Sequence, residues 1–579
     1  MSNTPPDLRS HLTDLLHAAL QVVAPGAAVP IVLERPKSLQ HGDYACSLAM
    51  QLAKPMKRNP RDIAQALVAA LPASSFLDKV EIAGAGFVNL YLKPAAKQQV
   101  VRDVLANGRE FGRVNLGLGR KVQVEFVSAN PTGPLHVGHG RGAAYGASLS
   151  NLLEAAGYVV SREYYVNDAG RQMDILALSV WMRYLEINQS TLLFPSNAYQ
   201  GDYVRDMARQ FQEAKGSRFV HPAKAVLEGV ASVEADPEAH LDGLIASAKR
   251  LLGVDYASLH DFVLTEQLGD CRSDLHEFGV TFDSWFSEKS LFDSGMVERA
   301  IETLEKSGHL FVKEGAKWFR STDYGDEKDR VVQRENGQYT YFASDIAYHL
   351  NKFDRGFDRV INVWGADHHG YIARVKGALR ALGLDPDKLT IALVQFAVLY
   401  RDGKKASMST RAGEFVTLRE LRKEVGNDAA RFFYVLRKSD QHLDFDMDLA
   451  KSQSNDNPVY YIQYAHARVC SVMEQWGGKT GELVNAALTP LVEEQELQML
   501  QKLLDYPEQI EGAARELAPH LLAFYLKDLA GGFHSYYNST RLLAEDEGIK
   551  LARLALAASV RQVLRNGFEI LGVGAPDRM

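Results

Sequence analysis

The sequence predicts an α/β protein whose central domain holds a parallel sheet, with an α+β domain before it and an all-helical domain after it. Three stretches indicate this order. The alternating run "KVQVEF" (121–126) leads through a proline- and glycine-rich turn into a helix-like run of small residues. The stretch "RVINVWGADHHGYIARVKGAL" (359–379) repeats the succession of strand, glycine turn and helix. After about residue 450, apolar residues recur at three- and four-residue steps, which is typical of amphipathic helices.

The elements of the first domain follow from local patterns. The spacing of apolar residues predicts a helix over 7–24, a helix from about Tyr44 and an alternating strand within 80–92. The central domain contains a more polar, more helical stretch, which we interpret as an insertion. The predicted domains are 1–112 (α+β), 113–450 (α/β, with an insertion at about 196–330) and 451–579 (helical).

Composition excludes several classes of protein. A chain of 579 residues is too long for one hydrophobic core, and its net charge of −7 gives no overall basic character. A local basic patch could still bind nucleic acid. Cys46, Cys271 and Cys470 are far apart, which excludes a CxxC zinc knuckle and a disulfide framework. No apolar run approaches the roughly 20 residues of a membrane-spanning helix, and the first residues do not resemble a signal peptide, so we expect a cytoplasmic protein.

The most distinctive motif is the turn "SANPTGPLHVGHGRG" (128–142), which holds two prolines, four glycines and two histidines. A strand, a turn and a helix start direct main-chain N–H groups and the positive end of the helix dipole at one point. His136 and His139 would share one helix face and could hold a nucleoside triphosphate by hydrogen bonds and charge. Two other interpretations stay open here, namely an incomplete metal pair and ordinary helix-cap histidines.

HVGH after "SANPTGPL" resembles the HIGH signature of class I aminoacyl-tRNA synthetases. Further stretches, in the same order along the chain, resemble the bacterial-type arginyl-tRNA synthetases. This resemblance implies a Rossmann-like catalytic domain, an N-terminal domain that contacts tRNA and a C-terminal domain that binds the anticodon. It also implies that arginine is ligated to tRNA(Arg), with ATP consumed and AMP and diphosphate released. The stretches are "YYVNDAGRQ" (164–172), "YFASDIAYHL" (341–350), "VWGADHHGYIARVKGAL" (363–379), "MSTRAGEFVTL" (408–418), "VGNDAARFFYVLR" (425–437) and "NPVYYIQYAHARVCS" (457–471).

An arginine substrate needs an anion for its guanidinium group. Tyr341 and Asp345 are four residues apart in a helical stretch and therefore share a face, where a carboxylate can pair with both arms of a guanidinium. Such a pocket rejects neutral amino acids because its carboxylate would stay unpaired, so no editing domain is expected. By resemblance, Glu125 and Asn130 hold the α-amino group. Asn167, Asp168 and Gln172 lie near the same pocket in the family pattern.

The resemblance also implies how ATP and tRNA bind. His136 and His139 would contact the ATP phosphates as catalytic residues, and Gly138 would leave room for the adenine ring. Magnesium would accompany ATP, no structural zinc is expected, and we expect a monomer that does not bind membranes. The other implied ATP contacts are Ser128, Asp367, His368, Met408 and Ser409. The implied tRNA contacts are Tyr460, Tyr464, Arg468 and Met579.

The second class I signature, KMSKS, departs from the family pattern. The matching residues 407–411 read "SMSTR", so both lysine positions are lost. The turn before HVGH also carries Gly133, where some members have a lysine. Lys404, Lys405 and Arg411 are the candidates to supply the missing positive charge, and we predict that Arg411 or Lys405 assists ATP. Lys404 and Lys405 could instead form an ordinary solvated turn.

Two other functions fit parts of the sequence. A catalytically inactive relative that binds tRNA or an amino acid as a regulator would explain the lost lysines, but it would not need HVGH, Asn130 and Asp345. A nucleotidyltransferase with the HIGH-type fold would join ATP to a small acid, but it would not need the helical tail.

Overall fold

The structure is a computed structural model that describes residues 8–36, 39–406 and 416–579. The chain forms two compact units. No helix within the described ranges is long and apolar enough to cross a membrane. The first unit contains Met1–Phe111, Arg468–Asp505 and Gly531–Val563, and the second contains Gly112–Ala467, Tyr506–Ala530 and Leu564–Met579.

The N-terminal part of the first unit has the predicted α+β composition. Its elements are α1 (Leu8–Val23), β1 (Leu33–Glu34), β2 (Tyr44–Cys46), α2 (Leu48–Met56), α3 (Pro60–Ala69), β3 (Leu77–Ala83), β4 (Phe87–Leu92) and α4 (Pro94–Asn107). The strands form an antiparallel sheet in the order β1-β2-β4-β3. The helix expected from about Tyr44 was placed wrongly, since it begins at Leu48. Tyr44 and Cys46 pair instead with Leu90 and Val88 of β4 and bury their side chains in the core.

The second unit is built around a five-stranded parallel sheet. Its elements up to that sheet's last strand are β5 (Lys121–Glu125), α5 (Val137–Ala155), β6 (Val159–Val166), α6 (Arg171–Ile187), α7 (Asp202–Lys215), α8 (Ala223–Val226), α9 (Pro237–Leu252), α10 (Asp255–Glu277), β7 (Ser284–Ser287), α11 (Lys289–Asp293), α12 (Met296–Lys306), β8 (Leu310–Lys313), β9 (Ala316–Phe319), β10 (Arg330–Gln333), α13 (Tyr341–Asp354), β11 (Arg359–Gly365), α14 (Ile372–Ala381) and β12 (Leu389–Val394). The strand order is β12-β11-β5-β6-β7. Because the order reverses between β5 and β11, ligands are expected there, outside the carboxyl ends of the strands.

The stretch predicted as a helical insertion, about 196–330, has a mixed structure. Helices α7, α9 and α10 pack with α6 around a core that includes Trp181, Phe211 and Leu259. β7 lies inside the predicted range, yet it is a strand of the central sheet and pairs with β6. β8, β9 and β10 form a separate antiparallel sheet. The helical excursion from the central sheet therefore consists of α7 to α10 and ends before β7.

The rest of the chain is mainly helical, and after about residue 450 its described elements are helices, as predicted. Its elements are β13 (Ala397–Arg401), β14 (Lys404–Lys405), α15 (Leu418–Val425), α16 (Asn427–Val435), β15 (Leu443–Asp446), α17 (Met447–Lys451), α18 (Pro458–Trp476), α19 (Glu494–Glu516), α20 (Pro519–Ser539) and α21 (Glu547–Leu571). The end of α21 is tied to α5. Ser148 Oγ donates to the Leu571 carbonyl (3.1 Å), and Asn151 Nδ2 donates to the Ile570 carbonyl (3.1 Å). Side chains in the middle of α5 thus anchor the helix that starts at the histidine turn.

Candidate active site

Of the predicted site residues, Glu125 and the two histidines lie at the carboxyl end of the parallel sheet, beside the switch point. Glu125 is the last residue of β5, and Asn362 of β11 is its partner in the strand register. His136 and His139 begin the helix that follows β5. The first main-chain N–H groups of that helix are bonded within the protein, the Val137 N–H to Val416 and the Gly138 N–H to His136. The positive end of the helix dipole and the histidine side chains are therefore what favour an anion such as phosphate.

The two histidines of this turn hold each other in place. The Gly138 N–H donates to Nδ1 of His136 (3.0 Å), and the His136 N–H donates to Nδ1 of His139 (3.3 Å). Because both Nδ1 atoms accept, each neutral ring carries its proton on Nε2 and can donate from that atom. The rings stack with their centroids 3.8 Å apart. Burial lowers the pKa of His136 and lowers that of His139 to about 3, so the turn offers hydrogen bonds rather than charge.

Glycine is required at position 138 by this stacked arrangement. A Cβ atom there would lie 2.7 Å from Cε1 of His136 and 3.4 Å from the ring of Phe396. Phe396, which was absent from the sequence-based predictions, is 50% exposed beside the turn. An exposed aromatic ring at this place gives the site a flat apolar surface.

Lys404 and Lys405, two of the candidates to supply positive charge, lie just before the segment that matches KMSKS. β14 contains Lys404 and Lys405, and both are exposed and paired antiparallel with β13. The predicted residues Met408, Ser409 and Arg411 lie outside the described residues.

The chain that follows this segment is attached to the histidine turn. The Val137 N–H donates to the Val416 carbonyl (3.1 Å), and the Leu418 N–H donates to the Leu135 carbonyl (2.8 Å). These two bonds flank an antiparallel bridge between His136 and Thr417. Val416 and Leu418 are thereby held beside the histidine turn.

Tyr341 and Asp345 lie one turn apart on α13, as their spacing predicts. The Asp345 carboxylate accepts a hydrogen bond from the phenol of Tyr371, and Tyr341 is 58% exposed. Burial raises the pKa of Asp345 to about 7, and the hydrogen bond from Tyr371 opposes this shift. A cationic ligand would compensate the cost of this buried negative charge.

A second buried carboxylate, which sequence reasoning missed, contributes to the raised pKa of Asp345. Glu288 follows β7 and is 3% exposed, and its Oε1 accepts from Ser344 Oγ (2.8 Å). Burial raises the pKa of Glu288, while hydrogen bonds from Ser344 and Tyr165 oppose that shift. One signal could have identified it, because Glu288 and Glu125 are both acidic residues at the carboxyl ends of strands in one sheet.

Glu125 is fixed by one neighbour in sequence and one distant residue. Ser128 Oγ donates to its Oε1 (3.0 Å), and the buried ammonium of Lys352 donates to its Oε2 (2.5 Å). Val127 and Ser128 have φ angles of 66° and 41°, a left-handed conformation that is unfavourable for a β-branched residue. This sharp turn brings the Ser128 hydroxyl back to Glu125. The contact between Ser128 and ATP stays a prediction, as does the role of Glu125 in binding the α-amino group.

The remaining predicted arginine contacts surround the start of α6. Asn130 Nδ2 donates to Oε1 of Gln172 (2.7 Å), and both residues are exposed. A Cβ at Gly170 would lie 3.0 Å from both Asn167 Oδ1 and the Tyr341 hydroxyl, so these two side chains are neighbours.

Asp168 has a clear role within the fold. Its carboxylate accepts from Ser287 Oγ (2.6 Å) and from the Lys289 N–H (2.9 Å). It therefore ties the turn after β6 to the start of α11, directly beside Glu288.

Asp367 and His368 follow β11 at the same edge of the sheet. Both are exposed, and Oδ1 of Asp367 lies 3.2 Å from Nδ1 of His368. Their position beside the switch point fits a contact with a nucleotide, which remains a prediction.

Two of the predicted tRNA contacts line one groove of about 520 Å³ in the second unit. Tyr460 and the C-terminal Met579 border it together with Asp428 and Gln463, and Met579 is 51% exposed. The ring of Tyr460 stacks on that of Tyr464, with 6.0 Å between centroids. The groove combines aromatic surface with polar side chains, which suits an unstacked base.

Arg468, the fourth predicted tRNA contact, belongs to the first unit. Its Nη1 lies 3.1 Å from Nδ1 of His534, and its guanidinium lies 4.8 Å from the centre of the Tyr537 ring. An arginine held against an aromatic ring provides both charge and a planar surface.

Comparison with known proteins gives consistent matches along the chain. The arginyl-tRNA synthetase N-terminal domain family matches residues 8–92, the catalytic domain of class I tRNA synthetases (R) matches 100–443, and the DALR anticodon-binding domain matches 462–579. The arginine–tRNA ligase of Nitrosospira multiformis is 69% identical, with 99% of each chain covered. That of Azoarcus sp. is 67% identical, with 98% of this chain and 99% of the relative covered.

A solved structure has the same fold. The arginyl-tRNA synthetase of Thermus thermophilus matches with a TM-score of 0.74 and 24% identity, covering 99% of this chain and all of the other. The parallel sheet, the histidine turn at its switch point and these matches lead to one conclusion: the chain belongs to the class I arginyl-tRNA synthetases.

Proposed function

We propose that this chain activates L-arginine with ATP to arginyl-adenylate and transfers the arginyl group to tRNA(Arg). The observation that carries this proposal is the pair of carboxylates, the half-buried Asp345 and the buried Glu288, at the same edge of the sheet as the histidine turn. An acidic pocket of this kind favours a cationic side chain. The high identity to arginine–tRNA ligases over nearly the whole chain supports the same reaction.

In the proposed complex, the guanidinium group binds between Asp345 and Glu288, and the Tyr341 ring covers it. Bidentate pairing with a carboxylate gives both affinity and a fixed orientation of the planar cation. The α-ammonium group binds Glu125 and Asn130. Asn167, Asp168 and Gln172 shape the wall of this pocket, Asp168 through its hold on the turn after β6.

ATP would bind with its phosphates over the histidine turn. The arginine carboxylate oxygen attacks the α-phosphorus, the bond from that phosphorus to the bridging oxygen breaks, and diphosphate leaves. Nε2–H of His136 and His139 would donate to the phosphate oxygens as charge develops there. Gly138 would lie against the adenine, while Ser128, Asp367, His368, Met408 and Ser409 complete the proposed contacts. Mg²⁺ enters with ATP as part of the substrate.

The charge that the lost signature lysines supply elsewhere would come from Arg411 or from Lys404 and Lys405. Arg411→Ala and Lys405→Ala should each slow adenylate formation by a few fold if an exposed ion pair of ordinary strength is lost. Unchanged rates in both variants would leave main-chain contacts as the contribution of this segment.

The same carboxylates account for selectivity. A neutral amino acid would leave these two acidic groups without a cation, and discrimination of this kind reaches about 10⁴–10⁵. We therefore propose that the stretch 196–330 has no hydrolytic editing activity. Efficient deacylation of mischarged tRNA by the protein would contradict this.

We assign one function to each of the three predicted domains. Residues 1–112 contact tRNA, 113–450 carry out the chemistry and 451–579 bind the anticodon stem-loop. Tyr460 and Tyr464 would stack on tRNA bases beside Met579 in the second unit, and Arg468 of the first unit would make a tRNA contact of its own. We propose a cytoplasmic monomer without a structural zinc site.

The direct test is aminoacylation of total tRNA with each of the twenty amino acids in turn. The proposal expects ATP-dependent charging with arginine, and with other amino acids at least about 10⁴-fold less efficiently. Binding of tRNA without any arginine-dependent pyrophosphate exchange would identify a regulator instead. Adenylation of a small acid without transfer to tRNA would identify a nucleotidyltransferase.

A further inference from the structure

A continuous chain of hydrogen bonds runs beneath the pocket, from the residue proposed for the guanidinium to the residue proposed for the α-ammonium. The Asp345 carbonyl oxygen lies 2.8 Å from Nδ1 of His349. Nε2 of His349 lies 2.9 Å from Nδ2 of Asn362, and Oδ1 of Asn362 accepts from Nζ of Lys352 (2.7 Å). The same ammonium group donates to Glu125 (2.5 Å), so one buried lysine joins α13, β11 and β5.

Lys352 fixes the donor and the acceptor of every hydrogen bond in this series. An ammonium group can only donate, so Asn362 must turn its oxygen toward the lysine and its NH₂ group toward His349. Nε2 of His349 therefore accepts, and Nδ1 carries the proton that is donated to the Asp345 carbonyl. The pKa of His349 is lowered to about 3 by burial, which agrees with a neutral ring in this position.

Lys352 is placed to act on Glu125 rather than on the substrate. It is completely buried, two helical turns after Asp345 on the same face of α13. A carboxylate has about four acceptor positions, and Glu125 uses two of them for Lys352 and Ser128. The others remain available to an ammonium group from the pocket.

The charges around Glu125 explain why a cation is needed there. From α13 it faces Asp345, Tyr348 and Lys352, with neutral His349 behind them. The other acidic groups nearby are Glu163 of β6, which pairs with Arg355, and Glu288 after β7, beside the phenol of Tyr165.

Without Lys352, Glu125 would be a buried acid among other acids. Fixing its carboxylate would then cost free energy that substrate binding would have to supply.

We infer that Lys352 is a positioning residue for arginine, which holds the Glu125 carboxylate ready for the α-ammonium group without contacting the substrate. This inference rests on the proposed function. The effect of Lys352 on arginine affinity is confined to the α-ammonium end of the substrate. A general contribution of Lys352 to packing would not distinguish that end from the rest of arginine.

The test is Lys352→Met, assayed by arginine-dependent pyrophosphate exchange with tRNA present. Losing the fixed partner of a charged hydrogen bond should raise the arginine KM by about 10–100-fold, while the ATP KM changes less than about twofold. Inhibition by the hydroxy-acid analogue of arginine, which lacks the ammonium group, should change by less than about threefold. An equal loss for arginine and for this analogue would overturn the inference.

Two further variants separate positioning from stability. Arg355→Met breaks the neighbouring pair between the exposed Arg355 and the buried Glu163 (2.5 Å), so it should lower stability but leave the arginine KM within about twofold. In a Glu125→Gln background, Lys352→Met should cause no further loss, because two residues that act through one contact are not additive. An additional loss there would overturn the inference, even if the single variant folds poorly.

The outcomes for the two proposals are distinct. A native protein that does not charge tRNA with arginine contradicts the proposed function. A native protein that does so, with an unchanged arginine KM in Lys352→Met, contradicts the role of Lys352 alone.

Discussion

The histidine turn and the arginine pocket lie at the same edge of the sheet, but they are built from contacts of different range. The turn is closed by hydrogen bonds between residues two and three positions apart. The pocket depends on Tyr371 and Asp345, 26 positions apart, and on Lys352 and Glu125, 227 positions apart. The turn combines these local bonds with main-chain bonds to Val416 and Leu418, whereas the pocket is a set of charged and phenolic side chains that meet only in the assembled fold.

This difference predicts different effects of mutation. Changes in the turn should lower the rate of adenylate formation without altering which amino acid is used. Changes in the pocket should alter affinity for arginine and its dependence on pH. The following predictions test this contrast, beginning with the largest expected effect.

Asp345→Asn should lower kcat/KM for arginine activation by about 10²–10⁴-fold, because removing one partner of a buried charge pair costs about 3–5 kcal/mol. Steady-state pyrophosphate exchange measures it. Tyr371→Phe is the matched control, since it removes the hydrogen bond to the same carboxylate but keeps the charge, and it should cost no more than about tenfold. Equal losses in both variants would contradict a charge-based pocket.

His139→Ala should lower kcat for adenylate formation by about 10²-fold, with the arginine KM nearly unchanged, because a donor to the developing phosphate charge is lost. Two variants of His136 distinguish an effect on the chemical step from an effect on stability. His136→Asn retains a favourable N-cap, whereas His136→Ala should reduce the free energy of unfolding by about 1 kcal/mol. Urea unfolding of the two variants measures this difference. A large change of arginine KM in His139→Ala would mean that the turn and the pocket are not separate.

The arginine KM should fall as pH rises through about 7. The pKa of Asp345 is raised to about 7 by burial, so the empty pocket becomes protonated as pH falls through that value. Since only the ionised carboxylate pairs with the guanidinium, affinity should drop by up to about tenfold for each pH unit below 7. Kinetics between pH 6 and 8 measure this.

Tyr371→Phe should move the same transition to higher pH, because the hydrogen bond that it removes holds the pKa of Asp345 down. An arginine KM that is flat across this range in both proteins would count against Asp345 as the recognition group.

Tyr460→Ala should raise the KM for tRNA by about tenfold in aminoacylation, within the range of about 1–3 kcal/mol for loss of base stacking. Tyr460→Phe keeps the ring and should retain most of the affinity. If Tyr460→Phe is as weak as Tyr460→Ala, the ring is not the feature that binds.

Local patterns predicted the parts of the molecule that local contacts build. The strand before residue 126, the helix start at His136 and the shared face of Tyr341 and Asp345 all follow from residues within a few positions of each other. The helix expected at Tyr44 is a strand because its partners, Leu90 and Val88, are more than forty residues away.

The residues missed within the site have the same explanation. Lys352 looks like an ordinary surface charge in sequence, since nothing near it indicates burial, and Glu288 is marked only by its place at the end of a short strand. Their environment comes from strands and helices distant in the chain, and a single sequence carries little signal for such contacts. β7 was included in the predicted insertion for the same reason, because a four-residue strand is recognisable mainly by its pairing with β6.

The most direct measurement is a crystal structure of the protein with arginine and a non-hydrolysable ATP analogue. We expect the guanidinium nitrogens to lie within hydrogen-bond distance of Asp345 and Glu288, and the α-phosphate to lie at Nε2 of His136 and His139. A guanidinium group bound elsewhere, or an Asp345 carboxylate facing open solvent, would contradict it.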